Sequence, residues 1–383
     1  MKKLLCIVVL LTGFIICGCK QHQEAEISPS GKVVKIGVIT PMTGTDKQAG
    51  ESALFGIRTA LQMRPYLTNG DKIELVIEDN KGTSEDTLSA LEKLSSQEDV
   101  SGILLMAKSD AVLAVVPLAD KYKIPILALI ATHPDITKNN QYITQLGFDD
   151  IYQGTVAALH VRDEMYIDRV AVFSDPEDTH YSFLASEFIR EYTSVGGEIV
   201  EHIIDGPETG DLQEILGQLQ ENEVQLVYLA VKPIRVIQLI DAANAIGWKP
   251  LSMGSDGLLS AIILRHIKNI GLVEGMIATD FLSTVLPKTE YGQKAFKIFK
   301  KLFSEPGTTL TALGCEGTSI LQHALDRCDN NTNRSCVNYM LRHTNEFEGL
   351  YGKLTIRNNG KTERPVFVNI IEDKAMKFRV KVY

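Results

Sequence analysis

The sequence predicts an α/β protein of two doubly wound, parallel-sheet lobes joined by multiple crossovers. Short apolar runs alternate with stretches of helical period from Val33 onward, the pattern of parallel strands covered on both faces by helices. The alternation runs twice, with a break near residue 150. At 383 residues, 44% hydrophobic and 23% charged, the chain has the length and composition for two ordinary cores.

Val33 to Ile39 reads as the first strand, followed by the loop Thr40-Pro41-Met42-Thr43-Gly44, a helix from about Gln48 to Met63, a strand Lys72 to Glu78 and a helix Glu85 to Ser95. The organising stretch is Ser101 to Asp135. There the apolar run Gly102 to Met106, a helical pattern from Ser109 to Lys123 and a second run Ile124 to Ala131 read as a right-handed parallel crossover. Both strands end in hydroxyl residues, Ser109 and Thr132. The carboxyl ends of parallel strands form the ligand crevice, and a helix opening at Ser109 aims free N–H groups and the positive end of its dipole there. That geometry calls for an anion. The residues alone leave a second reading open, in which Ser109 caps its helix and Thr132 closes a turn.

The second series runs from a helix near Ile151 to Glu164 through strands Arg169 to Phe173, Glu198 to Ile204, Gln225 to Val231 and Leu251 to Met253, with helices His180 to Tyr192, Leu212 to Gln220 and Ile234 to Ile246 between them. After Gly275 come strand Met276 to Thr279, helices Tyr291 to Leu302, Ala312 to Asp326 and Cys336 to Arg342, and strands Lys353 to Arg357, Val366 to Glu372 and Lys377 to Lys381. These pieces most simply complete the two earlier units, so the chain must cross between them more than once.

Ahead of the first strand, Met1-Lys2-Lys3 and the apolar stretch Leu4 to Ile16 read as a secretory leader, its core too short to span a bilayer comfortably. Ile16-Cys17-Gly18-Cys19, with polar Lys20 to Glu24 after it, resembles the lipobox of bacterial lipoproteins. The resemblance implies cleavage before Cys19 and acylation of Cys19, and several acyl chains on one residue anchor where a single chain does not. We therefore expect a leader over 1–18, a tether over 19–32 and a body held at the bacterial cell envelope on its periplasmic or extracellular face. Losing Lys2 and Lys3 takes the formal charge from −9 to about −11, and an acidic body argues against nucleic acid.

Of the six cysteines, Cys6 and Cys17 leave with the leader and Cys19 is the acylation site. In an oxidising compartment Cys328 and Cys336 are close enough to pair around an Asn-rich loop, with Cys315 left buried and reduced, although sequence alone does not fix the pairing. No Gly-x-Gly-x-x-Gly follows a strand, and Walker loops, His-Glu-x-x-His and Gly-x-Ser-x-Gly are all missing, so no catalytic residue, cofactor or metal is expected.

The series Ile36 to Gly44, Ala107-Lys-Ser109 to Ala119, Ile124-Pro125 to Thr132, Asp150 to Gly154, Asp178-Thr-His-Tyr181, Met253-Gly-Ser-Asp-Gly257 and Phe347 to Gly352 is similar to the branched-chain amino acid binding proteins, type I periplasmic solute receptors of ABC importers. The resemblance covers nearly all of residues 33 to 383. It implies a first lobe of 33–149 plus 280–360 and a second of 150–279 plus 361–383. It also implies that Ser109 and Thr132 hold a ligand α-carboxylate, and that backbone groups of Ile130 and Ala131 share that carboxylate and the α-ammonium. Asp256 stands where the family accepts the ammonium, and Tyr181 where an aromatic covers the ligand.

Lys232 and Ala49 depart from that pattern, standing where leucine-type receptors carry aromatics. A cation in an aliphatic pocket is costly without a partner, so Lys232 favours a ligand with an acidic or polar side chain, unless its ammonium lies in water. Asp150 is expected at the lobe crossing or as a helix cap. The expected function is a monomeric, lipid-anchored receptor that delivers an amino acid or similar small zwitterion to an ABC permease. The alternatives are a sensory lipoprotein reporting to a signalling partner, which its genomic neighbours would reveal, and a surface enzyme, which would change its ligand chemically.

Overall fold

The computed structural model describes residues 28–96, 99–206, 208–258, 270–283, 289–303 and 308–383. The expected leader, the expected acylation site Cys19 and most of the expected tether lie outside them.

The first lobe is a five-stranded parallel sheet ordered β2-β1-β3-β4-β5, from β1 (Val33–Thr40), β2 (Lys72–Asp79), β3 (Val100–Leu105), β4 (Ile126–Ala128) and β5 (Ile143–Gln145). Alternate side chains of β1 enter two different cores. Val34, Ile36 and Val38 pack with Ala53, Leu54 and Ile57 of α1 (Lys47–Met63), while Ile39 packs with Leu91 and Leu94 of α2 (Ser84–Ser96) and Val112 and Val115 of α3 (Ser109–Tyr122). This is period-2 alternation read by a helix layer on each face. β5 escaped the sequence reading because Ile143-Thr-Gln145 is three residues long with no apolar run.

The second sheet has order β15-β14-β10-β9-β8-β6-β7. β6 (Arg169–Ser174), β7 (Glu198–Ile204), β8 (Leu226–Ala230), β9 (Leu251–Gly254) and β10 (Ile277–Asp280) are parallel, whereas β14 (Val366–Glu372) and β15 (Ala375–Val382) join antiparallel. The sheet is therefore mixed at that edge. Asp373 and Lys374, the two loop residues of that last hairpin, both have positive φ (53° and 60°), the tight-turn geometry whose twist matches paired strands. The helices of this series are α4 (Asp150–Leu159), extended by a wider turn through Glu164, α5 (Thr179–Ser194), α6 (Leu212–Glu221) and α7 (Pro233–Ala245).

Three later helices, α8 (Glu290–Phe303), α9 (Thr309–Asp326) and α10 (Arg334–Arg342), return to the first sheet, with α9 lying along α1. A Cβ on Gly56 would stand 1.9 Å from the Thr311 carbonyl oxygen, and one on Gly314 2.2 Å from that of Ala53, so these helices meet backbone to backbone and only glycine fits. A disulfide between Cys328 and Cys336 ties the end of α9 to α10, and Cys315 is buried as a free thiol. The short strands β11 (Phe347–Glu348), β12 (Lys353–Ile356) and β13 (Thr362–Glu363) form a small antiparallel sheet of their own.

The chain passes between the two large sheets three times: after β5, after β10 and before β14. One side chain grips all three passages. Arg364 donates to the Leu146 carbonyl (3.3 Å), the Phe281 carbonyl (3.1 Å) and Glu316 Oε2 (2.9 Å), while Glu316 Oε1 accepts from Leu350 N (2.8 Å). Both charges are buried. Phe148 stacks on Phe281 at 4.3 Å between centroids. Among the described residues no helix is long and apolar enough to cross a membrane.

Candidate functional site

A cleft of about 320 Å³ opens between the two lobes, and Ser109, Ile130, Ala131, Thr132, Tyr181, Lys232 and Asp256 all line it. The first four come from the carboxyl ends of β3 and β4, where a parallel sheet exposes its loops and the amino ends of its helices. The other three follow β6, β8 and β9 in the second sheet.

Ser109 is not a cap. Lys108 occupies the position before α3, and the Ser109 hydroxyl oxygen instead accepts from the backbone N–H groups of Thr132 and His133, both at 3.3 Å. Two acceptor sides are thus engaged, which leaves the hydroxyl proton to donate. Gln145, buried at the end of β5, holds this loop by donating to the carbonyls of Ala131 and His133, both at 3.1 Å. The Ala131 carbonyl thus has one of its two acceptor sides engaged by Gln145.

Thr132 Oγ1 lies 2.9 Å from Nδ1 of His180, and that nitrogen is 3.0 Å from Asp150 Oδ1. His180 Nε2 faces Asp256 Oδ1 at 3.8 Å. Asp178, the cap of α5, accepts from the backbone N–H groups of His180 (3.1 Å) and Tyr181 (3.4 Å) and fixes the turn that carries both rings. Asp256 accepts from Gln153 Nε2 at 2.9 Å, and the same amide reaches Thr279 Oγ1 at 2.8 Å. Behind it Asp280 accepts from Phe281 N (2.7 Å) and Thr309 Oγ1 (3.4 Å).

Burial shapes the electrostatics. It works against a charged His180, but the Asp150 carboxylate, with Asp256 and Asp178 beyond, outweighs it and holds the imidazole up at about 9. Burial raises Asp256 against the pull of His180 and Gln153. It also pushes Asp280 up to about 7, with the Asp256 charge adding to the effect. The Tyr181 phenol, buried and surrounded by carboxylates, is held above its ordinary range and stays neutral.

At the mouth, Lys232 precedes α7 and pairs with Asp175 Oδ2 at 2.8 Å with its side chain half exposed. That hydrogen bond raises its pKa. The cation expected to favour an acidic ligand side chain is therefore already partnered. Lys108 is similarly paired with Asp46, at 2.9 Å. Asp150, expected at the lobe crossing or as a cap, lies at the crossing, where its N–H donates to the Thr132 carbonyl at 2.9 Å, but Asp149 is the residue that caps α4, by accepting from Tyr152 N, and the Asp150 carboxylate is buried against His180.

His180, Asp150, Gln153 and Asp280 are the residues sequence reasoning missed. His180 and Asp150 stood inside quoted motifs, but nothing in the one-dimensional pattern shows that α4 and α5 bring them together. Among the described residues no cluster of His, Cys, Asp and Glu is arranged to hold a metal ion.

A second cavity, of about 560 Å³, lies near the chain crossings and is lined by Phe148, Tyr152, Lys353, Arg357, Lys361 and Glu363 among others. Its charges pair with one another: Arg357 with Glu363 (2.6 Å), Lys361 with Asp149 (2.5 Å) and Lys353 with Glu346 (2.9 Å). Phe148 lines this cavity and Phe281 the cleft, so their stacked rings stand between the two.

Two sheet lobes joined by three passages, with donors on one wall of the cleft and carboxylates on the other, define the class of two-lobed small-molecule binding proteins. The model of the periplasmic binding protein family matches residues 33–375, and the chain belongs to that family of extracytoplasmic binding proteins. It is 24% identical over 200 residues to Leu/Ile/Val-binding protein homolog 6 of Brucella abortus, a match covering 51% of this chain and 50% of the relative. The chain thus spans about half the length of the curated relatives it matches. Its fold is that of a leucine binding protein, LivK, of Thermotoga maritima (24% identity, TM-score 0.83, 91% of this chain and 98% of that one). It is likewise similar to LivJ of Streptococcus pneumoniae, solved in complex with isoleucine (21% identity, TM-score 0.81, 91% and 100%).

Proposed function

We propose that this protein is a lipid-anchored extracytoplasmic receptor that closes on an α-amino acid, or a zwitterion like it, in the cleft and delivers it to an ABC permease. One observation carries the reading: the hydroxyls of the first lobe, Ser109 with its acceptor sides engaged and Thr132 at 2.9 Å from His180, face Asp256 of the second across His180. Ser109 and Thr132 donate to the ligand carboxylate, and Asp256, held by Gln153, accepts from its ammonium. Each charge-assisted hydrogen bond contributes roughly 1.5 to 3 kcal/mol. The remaining wall, with Leu229, Val231, Leu258 and Leu310 and with Lys232 and Lys108 neutralised by their partners, suits a small uncharged side chain. The solved leucine and isoleucine receptors of the same fold fit that choice. Bound ligand bridges the lobes, so part of its binding free energy goes into closure, and the closed face is what a permease meets.

A thermal-shift and calorimetric panel of the twenty amino acids tests this. At least one apolar or small polar amino acid should stabilise the parent, and Asp256→Ala and Ser109→Ala should each weaken it tenfold or more. Equal stabilisation of the parent and both variants would remove the cleft as the site.

A further inference from the structure

We propose that Asp150 and His180 form a buried relay that fixes the Thr132 hydroxyl as a hydrogen-bond donor, so that the cleft takes a carboxylate and rejects the corresponding amide. The inference rests on the zwitterion reading for its ligand and on geometry alone for the relay. Nδ1 of His180 lies within hydrogen-bond distance of two oxygens from different lobes, Thr132 Oγ1 at 2.9 Å and Asp150 Oδ1 at 3.0 Å. A carboxylate offers only acceptors. Nδ1 therefore carries a proton whether the imidazole is charged or neutral, because a bare nitrogen there would set lone pair against lone pair. A protonated Nδ1, its one N–H shared between Asp150 and Thr132 Oγ1, cannot accept from the threonine, whose own proton therefore remains for the ligand.

Asp150 thus chooses the tautomer, the tautomer orients the hydroxyl, and the hydroxyl selects the ligand end. The Ser109 hydroxyl beside it, its acceptor sides engaged by the Thr132 and His133 N–H groups, repeats the instruction. Two outward-facing donors accommodate two carboxylate oxygens, whereas an amide pairs its oxygen with one of them and sets its N–H₂ against the other, leaving that hydroxyl and an amide N–H without an acceptor. The relay also spans the cleft, since His180 belongs to the second lobe and Thr132 to the first, and the edge-to-face contact of His133 with Phe183 (4.6 Å) lies beside it. The charged or titratable groups facing His180 are Asp150 from α4, Asp256 from the turn after β9, Asp178 and Tyr181 from its own helix and cap, and His133 from the loop after β4. None of these places an acceptor-free group at Nδ1.

Asp150 and His180 are positioning residues, and two readouts test them. The first needs no ligand: ¹⁵N-histidine NMR of the parent protein, with His180 assigned through His180→Asn, should show Nδ1 protonated at pH 7 and still protonated at pH 10.5, where Nε2 has lost its proton. A neutral form protonated at Nε2 overturns the relay whatever the protein binds. The second uses leucine and leucinamide as probes. The parent should prefer the acid at least thirtyfold, His180→Leu should cut that preference at least tenfold, and His180→Asn, whose amide replaces the Nδ1–H donor, should restore it to within about threefold of the parent. Preference unchanged in His180→Leu but lost in Thr132→Val overturns the relay. If neither probe binds and no amino acid of the panel stabilises the parent while Nδ1 behaves as expected, the relay stands and it is the zwitterion reading that fails.

Discussion

The larger of the two cavities is the less organised one. Near the crossings, about 560 Å³ is edged by ion pairs that satisfy themselves at the surface, as with Arg357 and Glu363, both more than half exposed. Such pairs contribute little and ask nothing of a ligand. In the cleft, about 320 Å³, three acids and an imidazole converge, Asp150 and Asp280 buried and His180 and Asp256 largely so, and their charges are held by the fold at a cost that a bound ion can relieve. What marks a site is convergence of buried, incompletely paired groups; volume alone marks only space.

The sharpest way to break that contrast acts where the two regions touch. Arg364→Met strands Glu316 as a buried, unpaired carboxylate and frees all three passages, and we expect a loss of about 3–5 kcal/mol in chemical denaturation. A loss below about 1 kcal/mol would mean that the crossings hold without it. Next comes the stored cost in the cleft. Asp280 titrates near 7 in the folded chain and near 4 unfolded, so the native state binds its proton more tightly and stability falls as pH rises from about 4 to 7. Asp280→Asn, which can still accept from Phe281 N and Thr309, should gain on the order of 2 kcal/mol at pH 8 and almost nothing at pH 4. Urea melts at the two pH values read this difference, and equal gains at both would refute it. The smallest effect belongs to the rear: Lys361→Ala should change stability by less than about 0.5 kcal/mol and cleft affinity by less than threefold. A tenfold change in affinity would make the rear cavity part of the binding machinery.

Much of the fold could be read from periodicity because parallel strands buried on both faces are apolar throughout, as in β3 and β8. The misses were short. β5, β11 and β13 owe their pairing to backbone neighbours rather than to pattern, and the antiparallel entry of β14 is a matter of topology that no local spacing records. In the cleft, Ser109 and Thr132 were legible because strand ends advertise themselves, and Asp256 only through the family resemblance. His180 and Asp150 were not, since one sits on the first turn of a helix and the other inside the start of another, 30 residues apart, and only packing of α4 on α5 makes them neighbours. Lys232 shows the converse: its charge was visible, but its partner Asp175 was not.

The grip of Arg364 on all three connecting passages gives the molecule an axle. In the receptor we propose, links pinned to one guanidinium would let the halves rock about that point rather than slide past one another, so that open and closed forms would differ mainly in angle. Side chains exchanged on the facing walls would then alter which cargo is held without altering that stroke.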